Sequence, residues 1–163
     1  MYKLLIVDDE ELVREAIKEQ MNWEALGFTC VGDCEDGAEA LEFVRRETPD
    51  IVLTDIGMPF MDGIELMETV QRAYPFIHVV ILSGYNDFDY ARKAIKHGAC
   101  DYLLKPIQFP ALRNTMKELA GRMDALKQEQ YRLSVLKRKE QLLTKVLREQ
   151  FLSRLLRERM SDD

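Results

Sequence analysis

Short β-rich runs alternate with helix-patterned segments through the first 110 residues, and this constrains the fold more than any other feature of the chain. Residues 3–7 (KLLIV), 28–31, 51–53, 79–82 and 101–104 are short, largely apolar runs and read as strands. Between them, residues 11–21 carry helical spacing through Leu12, Ala16 and Ile17, and residues 38–46 through Leu41 and Val44. Asp62 is a natural N-cap for a helix over 63–73. A helix over 88–96 stops at His97-Gly98, and Phe109-Pro110 opens the last helix, since proline is tolerated in a first turn. Strands and helices in this alternation build βαβ units with right-handed crossovers. The expected architecture is α/β: a flavodoxin-like, doubly wound, five-stranded parallel sheet, order 2-1-3-4-5, with an extended C-terminal helix.

Charge divides the chain at the same place as pattern. Residues 1–110 hold 10 Lys/Arg and 21 Asp/Glu, whereas residues 111–160 hold 13 and 6. All five prolines and seven of the eight glycines precede residue 111. This predicts an acidic, turn-rich domain over 1–120 and a basic helical linker or coiled coil over 111–163, continuing from the domain's last helix. No apolar run approaches the roughly 20 residues that span a bilayer, so no membrane partner is expected, and the acidic N-terminus does not resemble a secretory leader. The expected compartment is the cytoplasm. Cys30, Cys34 and Cys100 are odd in number and lack zinc-ligand spacing, so they read as small buried thiols. His78 and His97 have no metal partner at useful spacing, and Trp23 reads as packing.

In a doubly wound sheet, ligands sit beyond the carboxyl ends of the strands, at the point where the strand order reverses. The polar residues fall there. The first strand runs into Asp8-Asp9-Glu10, the third into Asp55, the fourth into Ser83-Gly84 and the fifth into Lys105-Pro106. The first and third strands are neighbours in the expected order, so Asp8, Asp9 and Asp55 converge. Three carboxylates together need a cation to stay ionised. Oxygen-only donors completed by water and phosphate suit Mg²⁺. Lys105 supplies a point charge for a phosphate, and the Ser83 hydroxyl a hydrogen bond. A central carboxylate in such a site can act as a nucleophile and become an aspartyl phosphate. Taken singly, Asp-Asp reads as a solvated helix start, and Ser-Gly and Lys-Pro as turns; the argument rests on their occurring together, each at a strand end.

These segments, LLIVDDE (4–10), LTDIGMPFMDGIEL (53–66), ILSGY (81–85) and DYLLKP (101–106), resemble the receiver domain of bacterial two-component response regulators. The resemblance covers about residues 1–120. It implies a signalling switch rather than a turnover enzyme, with phosphorylation and dephosphorylation its only chemistry. The phosphoryl group would come from a sensor histidine kinase or a small phosphodonor and pass to Asp55. Asp9, Asp55 and the Gly57 carbonyl would bind Mg²⁺ directly, and Asp8 through water. Ser83 and Lys105 would grip the phosphoryl group, and Tyr102 would swing inward as Ser83 moves. The Lys105-Pro106 bond would be cis. Gly57, lacking a side chain, and bulky Tyr85 imply a long-lived phosphoaspartate. More narrowly, MNWEALGF (21–28) and SGYNDFDYARKAIKHGACDYLLKPI (83–107) look like receivers of the YesN-like group, whose outputs are AraC-type DNA-binding regions. No helix-turn-helix pattern occurs here, so DNA would be reached only through an output region absent from this chain.

Two other functions compete. A haloacid-dehalogenase-type phosphohydrolase also forms an aspartyl phosphate, but calls for D-x-D after the first strand, where this chain has adjacent Asp8-Asp9. A receiver serving only as a dimerisation scaffold does not need the complete acidic cluster. The MPFM segment (58–61) reads as either core covering or a partner-docking surface.

From Pro110 to Met160 only Gly121 weakens the helical pattern. Leu112, Met116, Leu119, Met123, Leu126 and Leu133 follow a heptad-like spacing, which Leu136 restores after a three-residue slip. This predicts a parallel homodimer through residues from about 112 onward. A last stripe, Leu142, Leu143, Val146, Leu147, Phe151, Leu152, Leu155 and Leu156, is wider than a two-stranded seam needs.

Overall fold

Three largely apolar runs become the middle of the sheet, as expected of strands buried on both faces. In the computed structural model, which describes residues 1–84, 88–96 and 98–162, these are β1 (Tyr2–Val7), β3 (Ile51–Asp55) and β4 (His78–Ser83). The edges are β2 (Phe28–Cys34) and β5 (Asp101–Leu104). The order is β2-β1-β3-β4-β5 and every pairing is parallel, as expected from the alternation. Tyr85 and His97 lie outside the described residues.

Side chains alternate across the strands. Leu5, Val7, Val52, Val79 and Ile81 pack with buried residues of α3 (Gly37–Glu47), α4 (Gly63–Ala73) and α5 (Phe88–Lys96), among them Val44, Leu66, Met67, Val70, Ala91 and Ala94. The alternate set, Leu4, Ile6, Ile51, Leu53, Val80 and Leu82, faces the opposite layer. There Ile17 of α1 (Glu11–Gln20) and Leu112, Met116 and Leu119 of α6 (Phe109–Ser161) are buried. Helices α3 and α4 start on side-chain caps, with Asp36 accepting from Glu39 N at 2.8 Å and Asp62 from Glu65 N at 2.8 Å.

Sequence reading missed one element and shortened another. A four-residue helix, α2 (Trp23–Leu26), is capped by Asn22 and ended by Gly27 at φ 91, in the left-handed region. It seats Trp23 edge-on to Phe28 at 5.9 Å, with Nε1 donating to Ile17 O at 3.0 Å, so the packing expectation for Trp23 holds. β2 runs on to Cys34, because Ile6 and Val7 of β1 pair with Asp33 and Cys34. Burial, with nearby carboxylates, pushes the Cys34 thiol up to about 12, as expected of an inert thiol.

The chain divides into two compact units, Met1–Ala120 and Gly121–Asp163, and α6 passes from the first into the second. This corrects the seam expectation. Leu112, Met116 and Leu119 are 0–1% exposed within the first unit, so they need no second chain. The helix packs its first turns into its own domain, and the residues left for a partner begin at Leu126. In the second unit Leu126, Leu133, Leu136, Leu142, Leu143 and Leu147 are all exposed. Among the described residues, no helix is long and apolar enough to cross a membrane.

Candidate functional site

The carboxyl edge of the sheet gathers the polar residues that the strand ends carry. Asp8 follows β1, Asp55 ends β3, Ser83 ends β4 and Lys105 follows β5. Buried polar residues are otherwise few: Asp8, Thr54, Asp55 and Ser83 are the buried polar or charged residues described. All four sit at this edge, where burial of charge demands compensation.

Lys105 provides it. Its Nζ donates to Asp8 Oδ2 at 2.8 Å and lies 3.2 Å from Asp55 Oδ2. The other Asp55 oxygen, Oδ1, accepts from Ile56 N at 2.9 Å, and Asp8 Oδ1 accepts from Glu10 N at 2.9 Å. Burial raises the Asp55 carboxyl above the ordinary range, opposed by Lys105 and reinforced by Asp8. For Lys105, burial works downward, but the hydrogen bond to Asp8 and the charge of Asp55 outweigh it, so the ammonium is held above its ordinary value. The cis Lys105-Pro106 bond is present, as expected.

Ser83 Oγ is fully buried and has no hydrogen-bond partner among the described residues. A buried hydroxyl left unpaired is uncommon and costs about 1–3 kcal/mol, so this edge holds a donor whose bonding the described residues leave incomplete. Carboxylate oxygens of Asp8, Asp9 and Glu10 lie within 4.8 Å of one another, with Asp8 buried and the other two exposed. Gly57 is exposed two residues beyond the end of β3, with nothing within 4 Å of where a side chain would begin. The donors are all oxygen, and the buried anionic charge exceeds what one lysine neutralises. On that chemistry the residues fit Mg²⁺.

Tyr102 is half-buried on edge strand β5 and packs against the core cluster, two residues before the Leu104 that pairs with Ser83. The MPFM segment splits between its two readings. Met58 and Met61 pack against the core, while Phe60 stands 91% exposed on positive-φ backbone (φ 66). Two further residues at the edge were not singled out from sequence. Gly63 opens α4 against the Asp55 carbonyl, with its N–H donating to Ile56 O at 2.9 Å. Arg14 reaches from α1 to the Asp8 carbonyl at 2.7 Å. The Gly63 signal was the Asp-Gly step after MPFM; Arg14 had no local signal, because its partners lie on other elements.

Comparison with known proteins agrees with this geometry. The response regulator receiver domain model matches residues 4–117. The transcriptional regulatory protein YesN of Bacillus subtilis is 37% identical over 123 residues, 76% of this chain and 33% of that protein. The transcriptional regulatory protein HptR of Staphylococcus aureus is 38% identical over 112 residues, 69% of this chain and 44% of that one. Among solved structures, the receiver domain of AraT from Geobacillus stearothermophilus is 38% identical with a TM-score of 0.68, covering 79% of this chain and 98% of that one. A two-component transcriptional regulator AraC from Clostridium phytofermentans is 36% identical with a TM-score of 0.71, covering 78% and 98%. The chain spans between a third and about half of the curated relatives it matches. On the family match and the sheet-edge site together, this chain belongs to the response regulator receiver domains of two-component systems.

Proposed function

We propose that the chain is a phosphorylation-controlled switch that accepts a phosphoryl group on Asp55 and transmits the change through α6. The observation that carries this reading is the pairing of a buried, unpartnered Ser83 hydroxyl with a buried Asp55 whose only cationic neighbour is Lys105, among the described residues. Attack by an Asp55 oxygen on a phosphohistidine forms a P–O bond and breaks the P–N bond, whose electron pair stays on the donor imidazole. Lys105 already faces Asp55 and can follow the transferred charge, and Ser83 Oγ can donate to a phosphoryl oxygen. Asp8 holds Lys105 by a second ion pair, independent of Asp55, which keeps the ammonium at the site before and after transfer. Asp9, Asp55 and the Gly57 carbonyl would hold Mg²⁺ directly, with Asp8 acting through water; the ion supplies charge neutralisation as phosphate oxygens arrive. Tyr102 moves inward as Ser83 is drawn to the phosphoryl group. No step beyond phosphorylation and its hydrolysis is proposed.

The donor is a sensor histidine kinase, in the cytoplasm. A groove of about 380 Å³, lined by Leu12, Val13, Ala16, Ile107 and Phe109, has Lys105 and Glu10 in its wall, and Leu12 is 79% exposed. That is a surface on which a partner helix could sit with its histidine near Asp55. The output is a homodimer through the exposed part of α6, with DNA contacted by a region beyond this chain, in keeping with the transcriptional regulators it resembles.

Incubation with acetyl phosphate and Mg²⁺, followed by intact mass, tests the acceptor. Wild type should gain one phosphoryl group and Asp55→Asn none. A gain that persists in the variant removes Asp55 from the role.

A further inference from the structure

We propose that Arg14 is a positioning residue for the acidic site, fixing the Asp8–Asp9 peptide so that Asp9 meets the metal in one orientation. The inference rests on the magnesium reading above. Arg14 lies one turn into α1, and its side chain is 12% exposed. Its Nη1 donates to the Asp8 carbonyl at 2.7 Å, and its Nε to Asp33 Oδ2 at 2.8 Å. Asp33, on edge strand β2, is also met by Lys18 at 3.3 Å. The guanidinium therefore spans two acceptors, with Nε on a carboxylate and Nη1 on a main-chain oxygen, a task a planar donor with fixed, divergent N–H groups suits and an ammonium does not.

The carbonyl it grips matters because of the residue that follows. The Asp8 carbonyl and the Asp9 amide share one rigid plane. Asp8 N donates to Cys34 O at 3.1 Å, so the residue is held at its amide by β2, at its carbonyl by Arg14, and at its carboxylate by Lys105 and Glu10 N. Beyond that plane Asp9 is exposed. The direction in which its side chain leaves the backbone is set by the two peptides that flank it: the following one is tied through Glu10 N to Asp8 Oδ1, and the preceding one is tied at its carbonyl by Arg14. A plain tie between α1 and β2 needs only the pair with Asp33; the bond to Asp8 adds nothing to such a tie.

Mg²⁺ affinity, read from amide chemical shifts with no phosphodonor present, tests this on the full chain. Two changes leave net charge untouched and isolate position: Arg14→Lys, and Arg14→Gln combined with Asp33→Asn. Each should raise the Mg²⁺ Kd about tenfold, in line with the loss of an outer partner of a metal ligand. Phosphorylation by acetyl phosphate should slow at low Mg²⁺ and recover at saturating Mg²⁺. Lys18→Met, which loosens Asp33 without touching Asp8, should leave the Kd within about twofold. If Arg14→Lys binds Mg²⁺ as wild type does, the proposal is wrong. It is also wrong if Lys18→Met weakens binding as much, because the effect then belongs to the α1–β2 tie. Wild type failing to bind Mg²⁺ would instead remove the magnesium reading, and this inference with it. If the double variant does not fold, as judged by near-ultraviolet circular dichroism, Arg14→Lys decides alone.

Discussion

The two ends of this chain break opposite rules of protein burial. At the carboxyl edge of the sheet, Asp8, Asp55 and Ser83 are buried, with a single lysine between the carboxylates and nothing on the hydroxyl. In the second unit, Leu126, Leu133, Leu136, Leu142, Leu143, Leu147, Phe151 and Leu156 are exposed along a helix that buries none of them. One region holds polar atoms that want a ligand, the other apolar atoms that want a surface. A small charged group suffices at the sheet edge, because the sheet already fixes the geometry. The helix would need a far larger apolar surface, since hydrocarbon burial scales with area.

The exposed helix is also not uniform. Leu142, Leu143, Val146 and Leu147 form one set, and Phe151, Leu152, Leu155 and Leu156 repeat it nine residues later. At 3.6 residues per turn, nine residues bring the second set roughly half a turn round the helix. One straight partner alongside cannot cover both sets. The Leu126–Leu133–Leu136 stretch suits a two-stranded seam, and the last two sets suit a bundle.

The largest effect is expected at the sheet edge. Asp9→Ala should slow phosphorylation by acetyl phosphate on the order of 10²–10³-fold and weaken Mg²⁺ binding, since preorganised charge compensation is lost. An unchanged Mg²⁺ titration would show that the acidic cluster is not the metal site. The helix comes next. A chain ending at Ala120 should be monomeric and still accept phosphate, because Leu112, Met116 and Leu119 remain in the first unit. In the full chain, Leu133→Ser should weaken the dimer about tenfold or more, given 1.5–3 kcal/mol for each buried leucine. Sedimentation equilibrium measures both, and a full chain monomeric at high concentration would leave α6 without a role in self-association.

A smaller effect is expected at Gly63, where an added Cβ would press on the Asp55 carbonyl and lie 3.0 Å from Ile56 Cα. Gly63→Ala should cost about 1–3 kcal/mol in urea unfolding and slow phosphorylation, because the backbone that must yield is the acceptor's own. The smallest concerns Asp55 itself. Its folded-state pKa is raised, so its contribution to stability is present at acidic pH and lost as pH rises through that raised value. At neutral pH the ionised carboxylate is a net cost. Without Mg²⁺, Asp55→Asn should raise Tm by about 2–5 °C, and the gap should close on acidification. Added Mg²⁺ should stabilise wild type more than the variant, by mass action. A variant no more stable than wild type at neutral pH would mean that Lys105 fully offsets the burial of Asp55.

Much of the fold could be read from the sequence, because each central strand is an unbroken apolar run and each run ends in a polar residue. Asp8, Asp55, Ser83 and Lys105 could be placed at one edge without coordinates, since parallel strands bring all their carboxyl ends together. The short helix Trp23–Leu26 could not, because four residues carry no periodicity. Nor could the continuation of β2 through Gly32, Asp33 and Cys34, where the poor strand formers Gly32 and Asp33 are held by pairing with β1. Spacing along a chain decides which residues share an element or an edge. It does not decide which apolar stripe is already covered: the same heptad spacing placed Leu112 and Leu119 inside the domain and left Leu126 and Leu133 in solvent. Nor does it decide which side chain reaches across to another strand, as Arg14 does to Asp8 and Asp33. Those outcomes depend on what packs alongside, and only the tertiary structure brings the neighbours in.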